Sequence, residues 1–273
     1  MRRPAAFRSC LQSTACRREK KQMGSILTAK DLCKTFSNES VQQHVLKNLN
    51  ISVEQGDFTV IMGNSGSGKS TLLYALSGMD RPTLGSVSYH GEEISKLDND
   101  ALAIFRRRHC GFVFQQNYLN DTMSVLDNII VCGLLVGKNR RVVAEHAREL
   151  LKQVGVEEQS FGKFPTQLSG GEQQRVAVVR GIINEPEILF ADEPTGALNS
   201  QNAEHVLNLF TGLNRRGQSI VMVTHDMKSA RRGNRVLYLK DGVITGECTL
   251  GVYESGDEKR HARLRGFLQE MGW

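Results

Sequence analysis

One short stretch constrains this chain more than any other: the run Gly63–Thr71, which reads Gly-Asn-Ser-Gly-Ser-Gly-Lys-Ser-Thr. It follows an apolar segment, Phe58–Met62, that is typical of a buried strand, and Lys69–Ser77 has the apolar spacing of a helix. In a strand–loop–helix setting, glycines let backbone N–H groups turn inward around phosphates, and the helix N-terminus favours negative charge. The stretch therefore predicts a nucleotide-binding loop rather than an ordinary glycine-rich turn.

Two residues of this phosphate loop have predictable roles. We expect Lys69 to reach the β- and γ-phosphates and the Ser70 hydroxyl to bind Mg²⁺. The residues predicted to bind the nucleotide are Gly63, Asn64, Ser65, Gly66, Ser67, Gly68, Lys69, Ser70 and Thr71.

Two acidic residues follow a second apolar segment, Ile188–Ala191. Ligands of parallel sheets lie at the carboxyl ends of the strands, where a carboxylate can hold Mg²⁺. We predict that Asp192 is this metal ligand and that Glu193 orients and deprotonates an attacking water. The alternative is that both acids cap the following helix.

A third polar segment, Leu168–Glu172, reads Leu-Ser-Gly-Gly-Glu and precedes a helical pattern. Ser169, Gly170 and Gly171 would present a hydroxyl and N–H groups at a helix N-terminus, which makes a second anion site. Taken alone, the segment is an ordinary capping box. Its position, 20 residues before Asp192, favours the anion-site interpretation over an ordinary cap.

Charge argues against a nucleic-acid partner. The chain has 35 Lys+Arg and 29 Asp+Glu, but residues 1–22 hold seven of the basic residues and one of the acidic ones, so the remainder is neutral. We interpret residues 1–22 as an extension that is disordered or arises from an upstream start codon, with a transit peptide as the alternative. Six cysteines without a C-x-x-C pair disfavour a disulfide framework or zinc site, and no apolar stretch is long enough to span a membrane.

The order of elements predicts an α/β fold. Strands and helices alternate in the second half, which implies a parallel core sheet with crossover helices. Residues 25–60 and 86–90 are predicted to form an antiparallel β subdomain, and a helical insert is expected at about 116–167. We assign residues 23–247 to the main domain. Residues 248–273 form a tail, expected to be a helix that docks on the core or contacts a partner.

Together these motifs resemble the ATP-binding subunit of ABC transporters, over about residues 25–247. Gln115, in the run Phe-Val-Phe-Gln, and His225, in Val-Thr-His-Asp, stand in the same family order. The resemblance implies that two copies pair head to tail, so that ATP on the phosphate loop of one is capped by Ser169–Gly171 of the other. It also implies that Gln115 contacts Mg²⁺ or the attacking water, and that His225 contacts the γ-phosphate beside the catalytic Glu193. ATP and Mg²⁺ are the implied cofactors.

The resemblance also concerns the base and one unusual loop. Phe36 stands where the family stacks an aromatic ring on adenine, and Val45 is expected beside that ring. The loop Gly196–Asn199 ends in Asn where the family usually has Asp. Asn keeps hydrogen bonding but lacks the charge, so we expect the hydrolysis rate to be affected.

A finer resemblance, in Asp80–Gly85, Phe105–Gln115 and Asp127–Ile129, is to the branch of macrolide exporters, lipoprotein-release systems and antimicrobial-peptide resistance pumps. It implies a cytoplasmic ATPase on the inner face of the cell membrane that drives a separate integral-membrane permease for a peptide, lipoprotein or drug. Alternatives are a soluble ABC-type ATPase for cofactor or complex assembly, and a P-loop kinase. We expect the permease to contact Tyr118 and Met123, unless these residues belong to the insert's own core.

Overall fold

Two sheets, eight α-helices and two short 3-10 helices form the regular structure of residues 24–38 and 41–273, the part of the chain that this computed structural model describes. The strands are β1 (Ser25–Asn38), β2 (Val41–Glu54), β3 (Phe58–Met62), β4 (Leu84–Tyr89), β5 (Glu92–Glu93), β6 (Cys110–Phe114), β7 (Ile188–Asp192), β8 (Ser219–Thr224), β9 (Arg235–Lys240) and β10 (Val243–Thr249). The helices are α1 (Lys69–Leu76), α2 (Asn99–His109), α3 (Val125–Leu134), α4 (Arg140–Gln153), α5 (Gly170–Ile182), α6 (Ser200–Arg215), α7 (Met227–Ala230) and α8 (Glu258–Glu270). The extension predicted over residues 1–22 lies outside the described residues.

The central sheet carries the phosphate loop. Its six strands lie in the order β10-β9-β3-β8-β7-β6, with all pairs parallel except β10 with β9. Every residue of β3, β7 and β8 is buried, as expected for parallel strands covered on both faces. Parallel strands place their carboxyl ends on one edge, so the loops after β3, β8, β7 and β6 meet there. The predicted α/β fold is confirmed.

An antiparallel sheet of order β2-β1-β4-β5 covers one face of the central sheet. Its apolar side chains share a core with α1 and α2, which includes Ile26 and Leu73. The predicted antiparallel range of 25–60 is too long at its end. Strand β2 stops at Glu54, and Phe58 already begins β3 of the central sheet.

The other face of the central sheet packs against α5, α6 and α8, around Phe210 and Leu264. Helices α3 and α4 form a separate core with α5, centred on Ile129 and Ala147, in the range predicted for the helical insert. Among the helices of the described residues, none is both long and apolar enough to cross a bilayer.

One carboxylate joins three elements at the amino end of β7. Glu187 accepts a hydrogen bond from His109 Nδ1 at 2.7 Å, at the end of α2, and lies 2.8 Å from His90 Nε2, between β4 and β5. Burial raises the pKa of Glu187, but the hydrogen bonds of the two histidines outweigh burial and leave that pKa below its usual value.

Candidate active site

The phosphate loop connects β3 to α1 at the carboxyl edge of the central sheet. Gly68 caps α1 with φ +100°, a backbone conformation that residues with a Cβ rarely adopt. Lys69 is buried, and its ammonium donates hydrogen bonds of 2.9 Å to the carbonyls of Gly63 and Asn64. Burial lowers the pKa of Lys69, although the carboxylates of Asp192 and Glu193 partly oppose this effect. An anionic ligand would relieve the cost of burying this cation.

A cavity of about 850 Å³ opens over this loop. Of the predicted site residues, it is lined by Asn64, Ser65, Gly66, Gly68, Lys69, Ser70, Thr71, Gln115, Asp192, Glu193 and His225. Residues from four separate loops therefore converge on one space large enough for a nucleotide. Gly63 and Ser67 belong to the same loop but do not line the cavity.

The predicted metal ligands lie together. Ser70 Oγ donates a 2.9 Å hydrogen bond to Asp192 Oδ1, and Gln115 lines the same cavity. A hydroxyl, a carboxylate and an amide oxygen are hard ligands, and Mg²⁺ takes one or two carboxylates with water and substrate phosphates. This donor set fits Mg²⁺, and no three His, Cys, Asp or Glu residues of the described chain cluster as an alternative metal site.

Sequence reasoning missed Tyr74. Its hydroxyl donates a 2.8 Å hydrogen bond to Asp192 Oδ2, so both oxygens of that carboxylate are held. Burial and this hydrogen bond raise the pKa of the Tyr74 phenol. The signal was present in the sequence, because Tyr74 follows Ser70 by four residues on a helix and must therefore lie on the same face.

Glu193 and His225 form the polar end of the cavity. His225 Nδ1 lies 3.0 Å from the Glu193 carboxylate, which is half-buried. The backbone of Glu193 has φ +45°, which is uncommon for a residue with a side chain, and its N–H donates to the Val223 carbonyl at 3.0 Å. Strand pairing with β8 thus fixes the position from which this carboxylate enters the cavity.

Gln115 connects the cavity to the loop after Glu193. A Cβ added at Gly196 would lie 2.9 Å from Gln115 Nε2, so a larger residue there would displace the Gln115 side chain. In the same loop, the side chain of Asn199 caps α6 by accepting the N–H of Asn202 at 2.9 Å. Asn at this position therefore serves a local structural purpose.

The segment Ser169–Gly171 does not line the cavity of its own chain. Ser169 caps α5 in a reciprocal capping box with Glu172, whose pKa is lowered by these hydrogen bonds. Gly171 packs against α6, where an added Cβ would lie 2.3 Å from Asn202 Cγ. Ser169 and Gly170 remain exposed and free to meet another molecule.

The two residues predicted to contact the adenine ring differ in their position relative to the cavity. Val45 lines the cavity, whereas Phe36 does not. The Phe36 ring is 46% exposed, and the Lys34 ammonium lies 5.0 Å from its centroid. Adenine stacking on Phe36 stays a prediction.

The two residues expected to contact a permease also differ. Tyr118 is exposed, but it lines the nucleotide cavity and packs edge-to-face on Phe114. Met123 is half-buried beside the insert, whose core contains the neighbouring Leu119 and Val125. Replacing both residues would therefore disturb the nucleotide site and the insert, and would not isolate a permease contact.

A family model described as "ABC transporter" matches residues 46–196, which is more than half of the chain. The chain therefore belongs to the ABC transporter family and is an ATPase of that family. It is 44% identical to the lipoprotein-releasing system ATP-binding protein LolD of Aquifex aeolicus over 83% of this chain and 99% of that protein. It is 40% identical to the macrolide export ATP-binding/permease protein MacB of Pectobacterium atrosepticum over 82% of this chain but only 34% of that longer protein.

The solved structures agree with these relatives. The dimeric ABC transporter cassette MJ0796 superposes with a TM-score of 0.77 at 39% identity, covering 83% of this chain and all of that one. A second structure of the same cassette, in a post-hydrolysis state with ADP and Pi, gives a TM-score of 0.76. The family predicted from the sequence is confirmed, and the P-loop kinase alternative is wrong.

Proposed function

We propose that two copies of this chain bind Mg-ATP between them and hydrolyse it to drive a separate membrane permease. The observation that carries this proposal is the convergence of the phosphate loop, Asp192, Glu193, Gln115 and His225 on one cavity. The names of the relatives support transport over a soluble assembly ATPase, and among the expected substrates, a peptide, lipoprotein or drug, they favour a lipoprotein or a drug. Driving a permease would place the chain on the inner face of the cell membrane.

In this proposal, the chain holds the triphosphate chiefly by charge. Backbone N–H groups of the phosphate loop cradle the phosphates, and Lys69 turns from the loop carbonyls to the β- and γ-phosphates. Ser70, Gln115 and Asp192 would hold Mg²⁺, whose charge offsets that of the phosphates. Tyr74 keeps Asp192 oriented for this task.

Glu193 is the proposed general base. It accepts a proton from a water molecule as the water oxygen forms a bond to the γ-phosphorus, and the bond from phosphorus to the bridging oxygen of ADP breaks. His225, which contacts Glu193, would donate a hydrogen bond to the γ-phosphate in this proposal. ADP and phosphate are the products.

In this proposal, the second copy contributes residues that complete the ATP site of the first. Ser169 and Gly170 are exposed at the N-terminus of α5, where the helix dipole favours an anion, yet they do not line the cavity of their own chain. A head-to-tail pair places them on the γ-phosphate held by the other copy. Pairing would then depend on ATP and end after hydrolysis, which supplies the motion that the permease needs.

The proposed role of Glu193 as the general base is tested with the variant Glu193→Gln. Loss of a general base lowers turnover by on the order of 10²-fold or more, while Mg-ATP binding measured by calorimetry stays near wild type. The variant should accumulate as an ATP-bound dimer on size exclusion. Glu92→Gln, an exposed glutamate in the antiparallel sheet, is the matched control and should keep full turnover. Near-normal turnover of Glu193→Gln would exclude Glu193 as the base.

The composite site is tested by mixing two inactive variants. Lys69→Ala damages the phosphate loop, and Ser169→Arg places a bulky cation where the other copy's γ-phosphate should lie. In a head-to-tail pair of one copy each, one of the two sites combines an intact Lys69 with an intact Ser169. The mixture should therefore regain ATPase activity that neither variant has alone. A mixture as inactive as its components would contradict head-to-tail pairing.

A further inference from the structure

Trp273 is the one tryptophan of the sequence, and it lies in the wall of the nucleotide cavity. It follows α8, more than 200 residues after the phosphate loop, and no nucleotide-binding motif includes it. The indole is 45% exposed, whereas the apolar residues Leu264 and Leu268 of the same helix are fully buried in the core. The helix is thus anchored on the central sheet, while its last aromatic side chain faces the cavity.

The backbone of Trp273 is held in place by the way in which α8 ends. Gly272 has φ +79°, its N–H donates to the Gln269 carbonyl at 3.1 Å, and the Trp273 N–H donates to the Leu268 carbonyl at 3.0 Å. These are the two hydrogen bonds of a Schellman motif, which needs the left-handed conformation that glycine adopts most easily. The helix end fixes the direction in which Trp273 leaves α8.

Contacts with β10 fix the helix end itself. A Cβ added at Gly246 would lie 2.6 Å from Met271 Sδ and 2.9 Å from Phe267 Cε2, so the last turn of α8 lies directly on the strand. At the other end, Arg260 is 4% exposed and donates to the carbonyls of Arg231 at 2.6 Å and Leu250 at 2.9 Å. The position of Trp273 is therefore a property of the fold.

Contacts along the chain connect the end of α8 to the neighbourhood of Val45, which also lines the cavity. A Cβ added at Gly272 would lie 3.8 Å from Lys240 Nζ, at the end of β9. The turn after Lys240 reaches β2, where the Gly242 carbonyl accepts the Lys47 N–H at 2.9 Å and a Cβ at Gly242 would lie 2.3 Å from the Val45 carbonyl. Val45 and Trp273 thus add apolar surface to a cavity whose polar groups include Lys69 and Asp192.

We propose that Trp273 stacks on the nucleoside of bound ATP and forms an aromatic wall of the site. This inference rests on the proposed function, since it requires that the cavity hold a nucleotide. An exposed indole gains both apolar burial and stacking when a base covers its face. Because Phe36 does not line the cavity, Trp273 supplies an aromatic surface that the expected base-binding residue does not provide there.

Intrinsic fluorescence tests the inference without any label, because Trp273 is the only tryptophan. The full chain carrying Ser169→Arg is titrated with Mg-ATP, so that nucleotide binding is observed without pairing. We expect quenching that saturates at the Kd measured by calorimetry, and no quenching by Mg-tripolyphosphate, which lacks a base. Trp273→Ala should raise the Kd for Mg-ATP about fivefold or more, whereas Val252→Ala, an exposed residue outside the cavity, should leave it unchanged.

Three results would overturn the inference. Calorimetric binding without a fluorescence change would mean that Trp273 does not contact the nucleotide. Equal quenching by tripolyphosphate would mean that it responds to phosphates and not to the nucleoside. A signal present in the wild type but absent from Ser169→Arg would mean that a second copy covers the indole. If calorimetry detects no ATP binding to the wild type at all, the proposed function itself fails, which is a distinguishable outcome.

Discussion

Replacing Tyr74 by Phe removes one hydroxyl from the site and keeps the ring. That hydroxyl donates a 2.8 Å hydrogen bond to Asp192 Oδ2, and hydrogen bonds to charged groups contribute about 1.5–3 kcal/mol. Asp192 borders an open cavity, so water replaces part of the lost interaction. We therefore expect an effect near 1 kcal/mol. Because tenfold in an equilibrium constant corresponds to about 1.4 kcal/mol, this effect amounts to roughly three- to tenfold.

The loss should appear in the metal dependence of nucleotide binding. With Asp192 less firmly oriented, Tyr74→Phe should need about three- to tenfold more Mg²⁺ for half-maximal ATP affinity, while ATP binding in EDTA stays unchanged. Calorimetry at several Mg²⁺ concentrations measures both quantities. Tyr238→Phe is the matched control, because the buried Tyr238 hydroxyl has no hydrogen-bond partner among the described residues and its removal should be neutral. An unchanged or lower Mg²⁺ requirement for Tyr74→Phe would refute the positioning role.

Three further changes test other parts of the molecule. Lys69→Ala should weaken Mg-ATP binding about tenfold or more by calorimetry, since a charge-assisted contact is lost; unchanged affinity would mean that the loop backbone suffices. Asn199→Asp should keep the helix cap and the melting temperature but change the ATP turnover rate more than the KM, and no change in either would make the substitution neutral. Glu187→Gln should lower the free energy of unfolding by up to about 1 kcal/mol at pH 7. The difference from the wild type should be fully present above the usual glutamate pKa of 4.5 and should shrink as the pH falls through the lower pKa of folded Glu187. Urea denaturation that gives the same difference at pH 7 and in strong acid would contradict this.

The phosphate loop and the central strands were predictable because their signals are local. Phe58–Met62 and Ile188–Asp192 are apolar runs bounded by turn residues, and both are fully buried strands. The carboxyl-edge rule then places Asp192 and Glu193 beside the loop without any knowledge of the contacts. The end of the antiparallel sheet was less predictable, because only its pairing with the distant strands β8 and β9 assigns β3 to the central sheet.

The residues that sequence reasoning missed depend on contacts between distant parts of the chain. Tyr74 reads as one more apolar position of α1, and its partner Asp192 is 118 residues away. Trp273 reaches the cavity only because α8 docks on β10. The apolar periodicity of the tail predicts a docking helix but does not specify the surface on which it docks. Phe36 is assigned to the adenine by family order alone, and because its ring does not line the cavity, stacking there stays a prediction.

The contacts of α5 explain how the second copy can affect the helical insert. Ser169, where we expect the γ-phosphate of the other copy, caps this helix, and Gln173 one turn later accepts a 2.7 Å hydrogen bond from the Asn117 side chain. Arg180, further along α5, donates to the carbonyls of Asn117 and Tyr118 at 2.5 Å. The same helix therefore holds the loop that follows Gln115 at two points, Gln173 and Arg180. Because α5 also packs against α3 and α4, a displacement imposed at Ser169 moves the insert and this loop together unless these bonds break.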